Sequence, residues 1–588
     1  MTLKQGISAL KAGNFEAAIS LLSEAVKSDP NNGSIYYSLA QALKNDGRKG
    51  EAIIQATRAL ARDHTFLPAA RLLSYLLSYL RLRNHCGIDP AGLAASFHLN
   101  GVDHQLLVPT ALAYLKQCTS LGDAVNLGRA SGWDSGAKWL LSSKGRPVLR
   151  DPLLLTVLST AANTDFDIEC LLTALRRFLL LAPSKETLRK PHILNFIFAL
   201  TRQMEINEYV FAVSIEEIQY LDDIYINLQG VRENSRAASD NLLLKALYFP
   251  LYRLIGDEGK DIDPQNVKPR ALGELIHVHL ARRLAEEEAA RGIKSVGVIE
   301  DEVSRKVAGL YEENPYPRWL SIHLPTPKSH RRQITEHFSE QELAFMDLPY
   351  KVLIGGAGTG QQAVDAALGY GPKAVLTAID ISLSSLAYAR HMADYFKATN
   401  LSFVQCDILN CALLDDAFDI IECIGVLHHM DDPWRGWKVL VEMLRPGGLM
   451  KVGLYSRVAR TRIATLRSDI QASSLNSDEQ AIRDYRQGIL AEGEEGKRAF
   501  LLDSADFYSL SNFKDLMFHV SEQHLTIPEI ASFMANNGLT FRGFQIPTDV
   551  AKGHPEGVAK VDLDQWHEFE VAHPETFKGM YVFWCRKD

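Results

Sequence analysis

Several things are scarce in this 588-residue sequence, and each scarcity excludes a class of protein. Its seven cysteines (Cys86, Cys118, Cys170, Cys406, Cys411, Cys423 and Cys585) are scattered, odd in number and never spaced C-x-x-C. Neither a disulfide framework nor a zinc site is expected from them, and no metal is assigned. No apolar run is long enough to span a bilayer, and the opening Met-Thr-Leu-Lys-Gln lacks the apolar stretch of a signal peptide. No membrane association is expected, and the cytoplasm is the natural location. Lys and Arg number 63 against 71 Asp and Glu, a net charge of −8, which argues against broad nucleic-acid binding. Clear strand patterns are missing from residues 86–300. There Leu171, Leu172, Leu175 and Phe178, then Leu242, Leu243, Leu244 and Leu247, keep helical spacing, and Leu179 to Pro183 continues the pattern to a helix-stopping proline.

The chain does contain a repeat. Gly13, Ala18, Ala25 and Asp29 recur 34 residues later as Gly47, Ala52, Ala59 and Asp63, and Leu39 recurs as Leu73. That is the tetratricopeptide period. The alanines let paired helices approach closely, and the two glycines mark the turns between them. Such units stack because one alone cannot bury its apolar face. Their concave side implies a protein or peptide partner, the alternative being self-association or packing on the middle region.

The segment Lys351-Val-Leu-Ile-Gly-Gly-Ala-Gly-Thr-Gly360, followed twenty residues on by Asp380, carries the most chemistry. Val352, Leu353 and Ile354 read as a buried strand. Gly356, Gly358 and Gly360 read as a turn whose backbone can approach a ligand with no Cβ in the way. A helix starts near Gln361. A second strand, Ala374 to Asp380, ends on an acid able to accept hydrogen bonds from both ribose hydroxyls. The glycine spacing is G-x-G-x-G, not the G-x-G-x-x-G of dinucleotide sites, so the ligand need not carry phosphate. Further strands follow at Asn400–Asp407, Phe418–His429 with its exit loop, Gly448–Tyr455, Leu539–Gln545 and Met580–Cys585. They alternate with helices such as Trp434–Leu444, stopped by Pro446 and Gly447. This alternation predicts an α/β fold with a doubly wound sheet.

Over about residues 300–588 this pattern resembles class I methyltransferases that use S-adenosyl-L-methionine. The resemblance implies a Rossmann-like, seven-stranded sheet with an antiparallel last strand. It implies that Gly356, Ala357, Gly358 and Gly360 meet the cofactor, that Asp380 with Ile381 holds its ribose and that Asp407 with Ile408 holds its adenine. Cys423 to His429, including Ile424, would lie along it. One position departs. The family often has an acid two residues before the first glycine, and here that residue is Ile354. Either another group holds the methionine amine, or the site binds weakly or not at all.

Tyr311-Glu-Glu-Asn-Pro-Tyr-Pro-Arg-Trp319 is the second unusual motif. Its prolines disfavour a helix. It is either a linker with packed aromatics or a lid whose Tyr311 and Arg318 meet the cofactor or substrate, since guanidinium matches carboxylate bidentately. With Asn207-Glu-Tyr-Val-Phe211 it resembles bacterial proteins that fuse tetratricopeptide repeats to such a methyltransferase.

The expected organisation is repeats at 1–85, a helical linker or regulatory region at 86–300 and a methyltransferase domain at 301–588. That domain holds a helical insertion at 456–538, where the acceptor pocket would be built or the sheet merely covered. His428 and His429, after the fourth strand, are candidate bases, the alternative being packing and backbone hydrogen bonds. Asp431 and Asp432 would orient them or cap the next helix. Arg457, Arg460, Arg462 and Arg467 would form a solvated helix face or flank the substrate mouth. The expected function is methyl transfer to an O or N atom of a protein or peptide acceptor recruited partly by the repeats. Alternatives are a non-catalytic scaffold with a cofactor-sensing or degenerate domain, a small metabolite or glycan acceptor and, more weakly, RNA.

Overall fold

The structure, a computed structural model, describes residues 2–182, 186–313, 315–473, 475–546 and 561–588. Pro183 and Asn314, which figured in the sequence patterns, lie outside the described residues. The chain divides into two compact units. The first holds residues up to Ala281 with Leu320–His323 and Asp478–Leu510. The second holds Arg282–Trp319, Leu324–Ser477 and Ser511–Asp588.

The first unit is helical. It begins with α1 (Thr2–Lys11), α2 (Phe15–Ser28), α3 (Gly33–Asn45), α4 (Lys49–Arg62) and α5 (Leu67–Leu77). Gly13 and Gly47 turn the chain between paired helices at φ of 78° and 86°, which only glycine adopts without strain. Ala18, Ala25, Ala52 and Ala59 are buried where the helices touch. Asn14 and Asn32 cap α2 and α3 by accepting from Ala17 and Ser34 backbone N–H groups. The expectation of no disulfide is corrected: Cys86 and Cys118 are bonded, with Cα atoms 5.6 Å apart. Scattered cysteines gave no signal because the fold, not local spacing, brings the turn at Cys86 to the end of the helix Val108–Cys118.

Asn207-Glu-Tyr-Val-Phe211 has a structural role in this unit. Glu208 and Tyr209 take left-handed backbone angles, φ of 58° and 59°, which turn the Tyr209 and Val210 carbonyls toward Arg483 and Arg486. Arg486 is fully buried. It donates to the Val210 carbonyl at 3.0 Å, to the Phe507 carbonyl at 2.7 Å and to both Glu169 carboxylate oxygens at 3.0 Å. A buried guanidinium persists only when its donors and charge are matched in this way. Residues 478–510 of the insertion therefore belong to the helical unit, while 456–477 and 511–538 belong to the other.

The second unit is built on one sheet. Its strands are β1 (Lys294–Val296), β2 (Tyr350–Gly355), β3 (Ala374–Asp380), β4 (Leu401–Cys406), β5 (Phe418–Ile424), β6 (Leu444–Leu454), β7 (Leu539–Phe544) and β8 (Tyr581–Lys587), in the order β1-β4-β3-β2-β5-β6-β8-β7. β8 runs antiparallel to both neighbours and the other pairs are parallel. The count is eight where seven were expected. The extra strand β1 is three largely exposed residues at the edge, too short to show a period. Leu353, Ile379, Ile421, Met450, Trp437 and Phe583 lie in one core cluster beneath the sheet and its helices. The helix after β5 runs Pro433–Met443, capped by Asp432, which accepts from the Trp434 and Arg435 N–H groups. No helix among the described residues is long and apolar enough to cross a membrane.

Candidate active site

Sheet order reverses between β3-β2 and β5-β6, and the carboxyl ends of parallel strands at such a switch point leave a crevice. Here the crevice is a cavity of about 360 Å³, the size of a small-molecule site.

The floor of the cavity is the glycine turn. Gly356 and Gly358 have φ of 71° and 50°. A Cβ on Gly356 would stand 2.3 Å from Val426 Cγ2, and one on Gly358 would stand 2.9 Å from the Tyr316 carbonyl. Asp380 closes the turn. One carboxylate oxygen accepts from Gly358 N–H at 2.7 Å and the other from Ser382 N–H at 2.9 Å. Burial raises its pKa, against the pull of the Ser382, Gly358 and Ile381 N–H groups. Asp407 Oδ1 accepts from Leu409 N–H at 2.9 Å. Asp380, Ile381, Asp407, Ile408, Ile424, Gly356, Ala357 and Gly358 all line the cavity.

Two expected cofactor residues stand off the wall. Gly360 is the N-cap of the helix Gln361–Tyr370, and its α-carbon faces Ala389, whose Cβ a side chain would meet at 2.5 Å. Arg318 is exposed, with its guanidinium 5.7 Å from the Tyr388 ring. The motif that contains Arg318 clamps the turn by other means. Trp319 Nε1–H donates to the Thr359 carbonyl at 3.0 Å, and the Thr359 hydroxyl donates to the Pro317 carbonyl. Tyr311, Tyr316 and Pro317 form part of the wall. Ile354 is wholly buried in β2, in register with Ala378 and Glu422. Glu422 supplies no substitute acid to the cavity, because Tyr370 and Gln362 donate to it at 2.6 and 2.8 Å.

A second polar group faces the same cavity. His429 lines it, and its Nδ1 is 2.9 Å from the Ser521 carbonyl. A carbonyl only accepts, so Nδ1 carries a proton and Nε2 of the neutral ring keeps its lone pair. Asp515, from the helix Leu510–Phe518, lines the cavity and accepts from the Tyr311 hydroxyl at 2.6 Å. Burial pushes its carboxyl pKa up. His519 stacks on His429 with ring centres 3.8 Å apart. Its Nδ1 accepts from Ser521 N–H at 3.1 Å, so the neutral ring carries its proton on a buried Nε2. Ligating atoms of His429, Asp515 and His519 lie within 4.8 Å of one another. With His519 offering an N–H rather than a lone pair at Nε2, the trio does not present three lone pairs to a metal ion.

His428 is not on the wall. It is fully buried with its ring 3.8 Å from that of Tyr455, and burial, then His429 beside it, holds its pKa well below the usual histidine range. The expected solvated arginine face is corrected at two positions. Arg460 and Arg467 are buried; they reach Glu522 at 3.1 and 3.4 Å, and Arg467 also donates to the carbonyls of Leu516 and His519. Despite burial, the His524 hydrogen bond with Arg460 and Arg467 draws the Glu522 pKa down to about 2. The sequence reading missed Asp515, Gln361, Met430 and Met580, all on the wall. Only Asp515 left a signal, an acid buried within a largely apolar helix.

The chain matches the methyltransferase domain family over residues 353–452 and the tetratricopeptide repeat family over residues 3–84. An uncharacterized protein of Synechococcus sp. is 29% identical over 259 residues, 42% of this chain and 60% of that one. The ubiquinone biosynthesis O-methyltransferase of Coxiella burnetii is 27% identical over 237 residues, 39% of this chain and 94% of that one. Among solved structures, PKMT2 from Rickettsia typhi in complex with AdoHcy is 19% identical with a TM-score of 0.33, over 45% of this chain and 53% of that one. The chain thus spans about three fifths of the Synechococcus protein and about half of the Rickettsia protein. It joins a segment that matches the tetratricopeptide repeat family to one that matches the methyltransferase domain family.

Proposed function

We propose that this protein transfers the methyl group of S-adenosyl-L-methionine to an amine or hydroxyl of a protein or peptide acceptor. In this reading residues 1–85 recruit the acceptor, the rest of the helical unit connects or regulates, and the sheet unit of Arg282–Trp319, Leu324–Ser477 and Ser511–Asp588 carries out the transfer. The bound cofactor supplies a methyl group already activated on a sulfonium sulfur. Asp380 accepts from its ribose, Asp407 from its adenine amino group, and the Gly356–Gly358 turn gives it room. The reading is carried by one observation: the cavity holding those two acids also exposes His429, Asp515 and Tyr311.

The geometry favours an amine. Asp515 is a buried acid on the cavity wall, and the Tyr311 and Tyr316 rings stack beside it at 6.2 Å. A carboxylate with aromatic faces attracts an ammonium. A protonated amine cannot attack, so it must lose a proton before or during transfer. His429 Nε2 holds a free lone pair for that proton. With the cofactor bound, the cavity residues would hold the freed nitrogen lone pair in line with the activated methyl group, and the protein's task would be alignment.

The test is methyl transfer by the full chain from labelled cofactor to proteins of a cell extract, with titration calorimetry of S-adenosylhomocysteine alongside. His429→Gln should lower turnover about a hundredfold and leave cofactor affinity within about threefold, since no cofactor-binding acid is changed. Unaltered turnover would remove His429 from the chemistry. A folded chain that binds neither cofactor nor product would instead support the scaffold reading, which Ile354 favours. Label appearing only in small molecules would move the acceptor to a metabolite or glycan.

A further inference from the structure

Two thiols flank the residues assigned to the adenine. Cys406 ends β4, and Cys411 lies in the 3-10 turn Ile408–Leu414 that follows. The loop between them carries Asp407 and Ile408, both on the cavity wall. Both cysteines are buried with free thiols. Cys406 nevertheless lines the cavity, so one of the pair is reached from it.

The two sulfurs converge on one atom. Cys406 Sγ lies 3.2 Å from the Asp407 carbonyl oxygen, and Cys411 Sγ lies 3.9 Å from the same oxygen. The Asn410 N–H donates to that oxygen at 2.8 Å, which folds the loop back on itself. The thiols differ in character. A hydrogen bond from Cys411 draws the Cys406 pKa below the ordinary thiol value, against the effect of burial. The tie to Cys406, and then burial, holds the Cys411 thiol protonated. The thiolate is the nucleophile, so Cys406 reacts first and Cys411 is placed to resolve it. Cys423 lies close by but is sealed in the core, where burial pushes its pKa up to about 12. None of these thiols has a part in the methyl transfer proposed above.

We propose that Cys406 and Cys411 are a redox couple in the adenine wall: a peroxide joins them in a disulfide, and the bonded chain releases the cofactor. The Cys406 thiolate attacks one oxygen of hydrogen peroxide. The O–O bond breaks, and the other oxygen leaves as hydroxide, which takes up the proton Cys406 had released. The Cys411 sulfur then attacks the Cys406 sulfenic acid. The S–O bond breaks, and its hydroxide leaves as water with the Cys411 proton. Two thiols lose two hydrogens, and one peroxide becomes two waters. A disulfide has no S–H, so the Asp407 carbonyl loses both thiol donors. The sulfurs, drawn to about 2.0 Å from each other, tighten the loop that carries Asp407 and Ile408. The inference rests on the adenine lying at Asp407, as in the reading above.

The experiment treats the full chain with hydrogen peroxide, removes the excess and maps the peptide holding Cys406, Cys411 and Cys423 by mass spectrometry. S-adenosylhomocysteine is titrated calorimetrically before oxidation, after it and after dithiothreitol. The expected result is a loss of two hydrogens at Cys406 and Cys411, a Kd raised at least about tenfold and recovery with dithiothreitol. Met430 and Met580 share the wall, but methionine sulfoxide needs its own reductase, so recovery with a thiol singles out the cysteines. Cys411→Ala should bind within about threefold of the reduced wild type and lose the recoverable step. Saturating the wild type with S-adenosylhomocysteine should slow the link by covering Cys406, a measurement that needs no variant. A chain that forms no link between Cys406 and Cys411, or forms it with an unchanged Kd, would overturn the proposal. A reduced chain that binds no S-adenosylhomocysteine would overturn the cofactor reading and the release step with it, while the mass map would still report whether the thiols join.

Discussion

Replacing Asp380 with asparagine tests the cofactor site most directly. In the wild-type turn each carboxylate oxygen accepts from a backbone N–H, Gly358 at 2.7 Å and Ser382 at 2.9 Å. Its remaining lone pairs face the cavity, where the ribose hydroxyls would donate. Asparagine can keep only one acceptor oxygen. Its NH2 group must then face either a backbone N–H or a ribose hydroxyl that had been donating. A hydrogen bond to a charged acceptor is worth about 1.5–3 kcal/mol. Losing one from the cofactor weakens binding by about 10–150-fold, and losing one from the turn lowers stability by a similar free energy. Calorimetric titration with S-adenosylhomocysteine measures the first loss, and urea denaturation of the cofactor-free chain measures the second. Burial raises the Asp380 pKa, and only the ionised form accepts from both hydroxyls. Wild-type affinity should therefore fall on acidification at a higher pH than an ordinary aspartate would give, and Asp380→Asn should abolish that component. A variant that keeps its fold and binds within about threefold of wild type would refute the placement of the ribose.

Gly356→Ala should destabilise the chain by at least about 2 kcal/mol in urea denaturation, from a left-handed φ and a Cβ 2.3 Å from Val426; a change under about 0.5 kcal/mol would mean the turn is not so confined. Glu522→Gln should cost about 3 kcal/mol at neutral pH, because the Glu522 pKa falls from its ordinary 4.5 to about 2. That stability is present above pH 4.5 and lost as pH falls toward 2, so melting curves of wild type and variant should converge in acid; parallel curves would show that Glu522 is not held by its arginines. Trp319→Phe removes the bond to the Thr359 carbonyl and should raise the Kd for S-adenosylhomocysteine about fivefold, with an unchanged Kd showing that the clamp does not shape the turn.

The glycine-turn side of the cavity was legible because its chemistry is written locally. Strand, glycine turn, helix and acid follow one another between Lys351 and Asp380, and each is set by hydrophobic spacing or by the absence of a Cβ. Asp407 and Ile424 extend that logic, since each ends a strand whose direction is fixed by its neighbours. The side of the cavity formed by His429, Asp515 and Tyr311 was not legible. Asp515 meets Tyr311 across 204 positions, and nothing in the spacing of either residue names the other. His428 and His429 are adjacent in sequence, yet one is sealed against Tyr455 and the other opens on the cavity, a choice made by how the 3-10 turn Leu427–His429 packs. Arg460 and Arg467 look like surface residues until Glu522 arrives from further along the same insertion. Cys86, in a turn, meets Cys118, at a helix end, through tertiary folding that no local spacing announces.

The bond between Arg486 and Glu169, 317 positions apart, has a consequence for how the chain is made. During synthesis the helical unit lacks residues 478–510 until late, and Glu169, buried once folded, lacks the guanidinium that hydrogen-bonds it until Arg486 emerges. By then β1 through β6 have already left the ribosome. The N-terminal unit therefore cannot finish first, although domains made earlier usually do. Its completion waits on a segment translated after most of the catalytic sheet. Truncation at residue 300 would leave the first part permanently without its buried arginine. Replacing residues 478–510 by a short linker is the way to obtain the methyltransferase unit alone, and the helical unit would then need that segment supplied as a separate peptide.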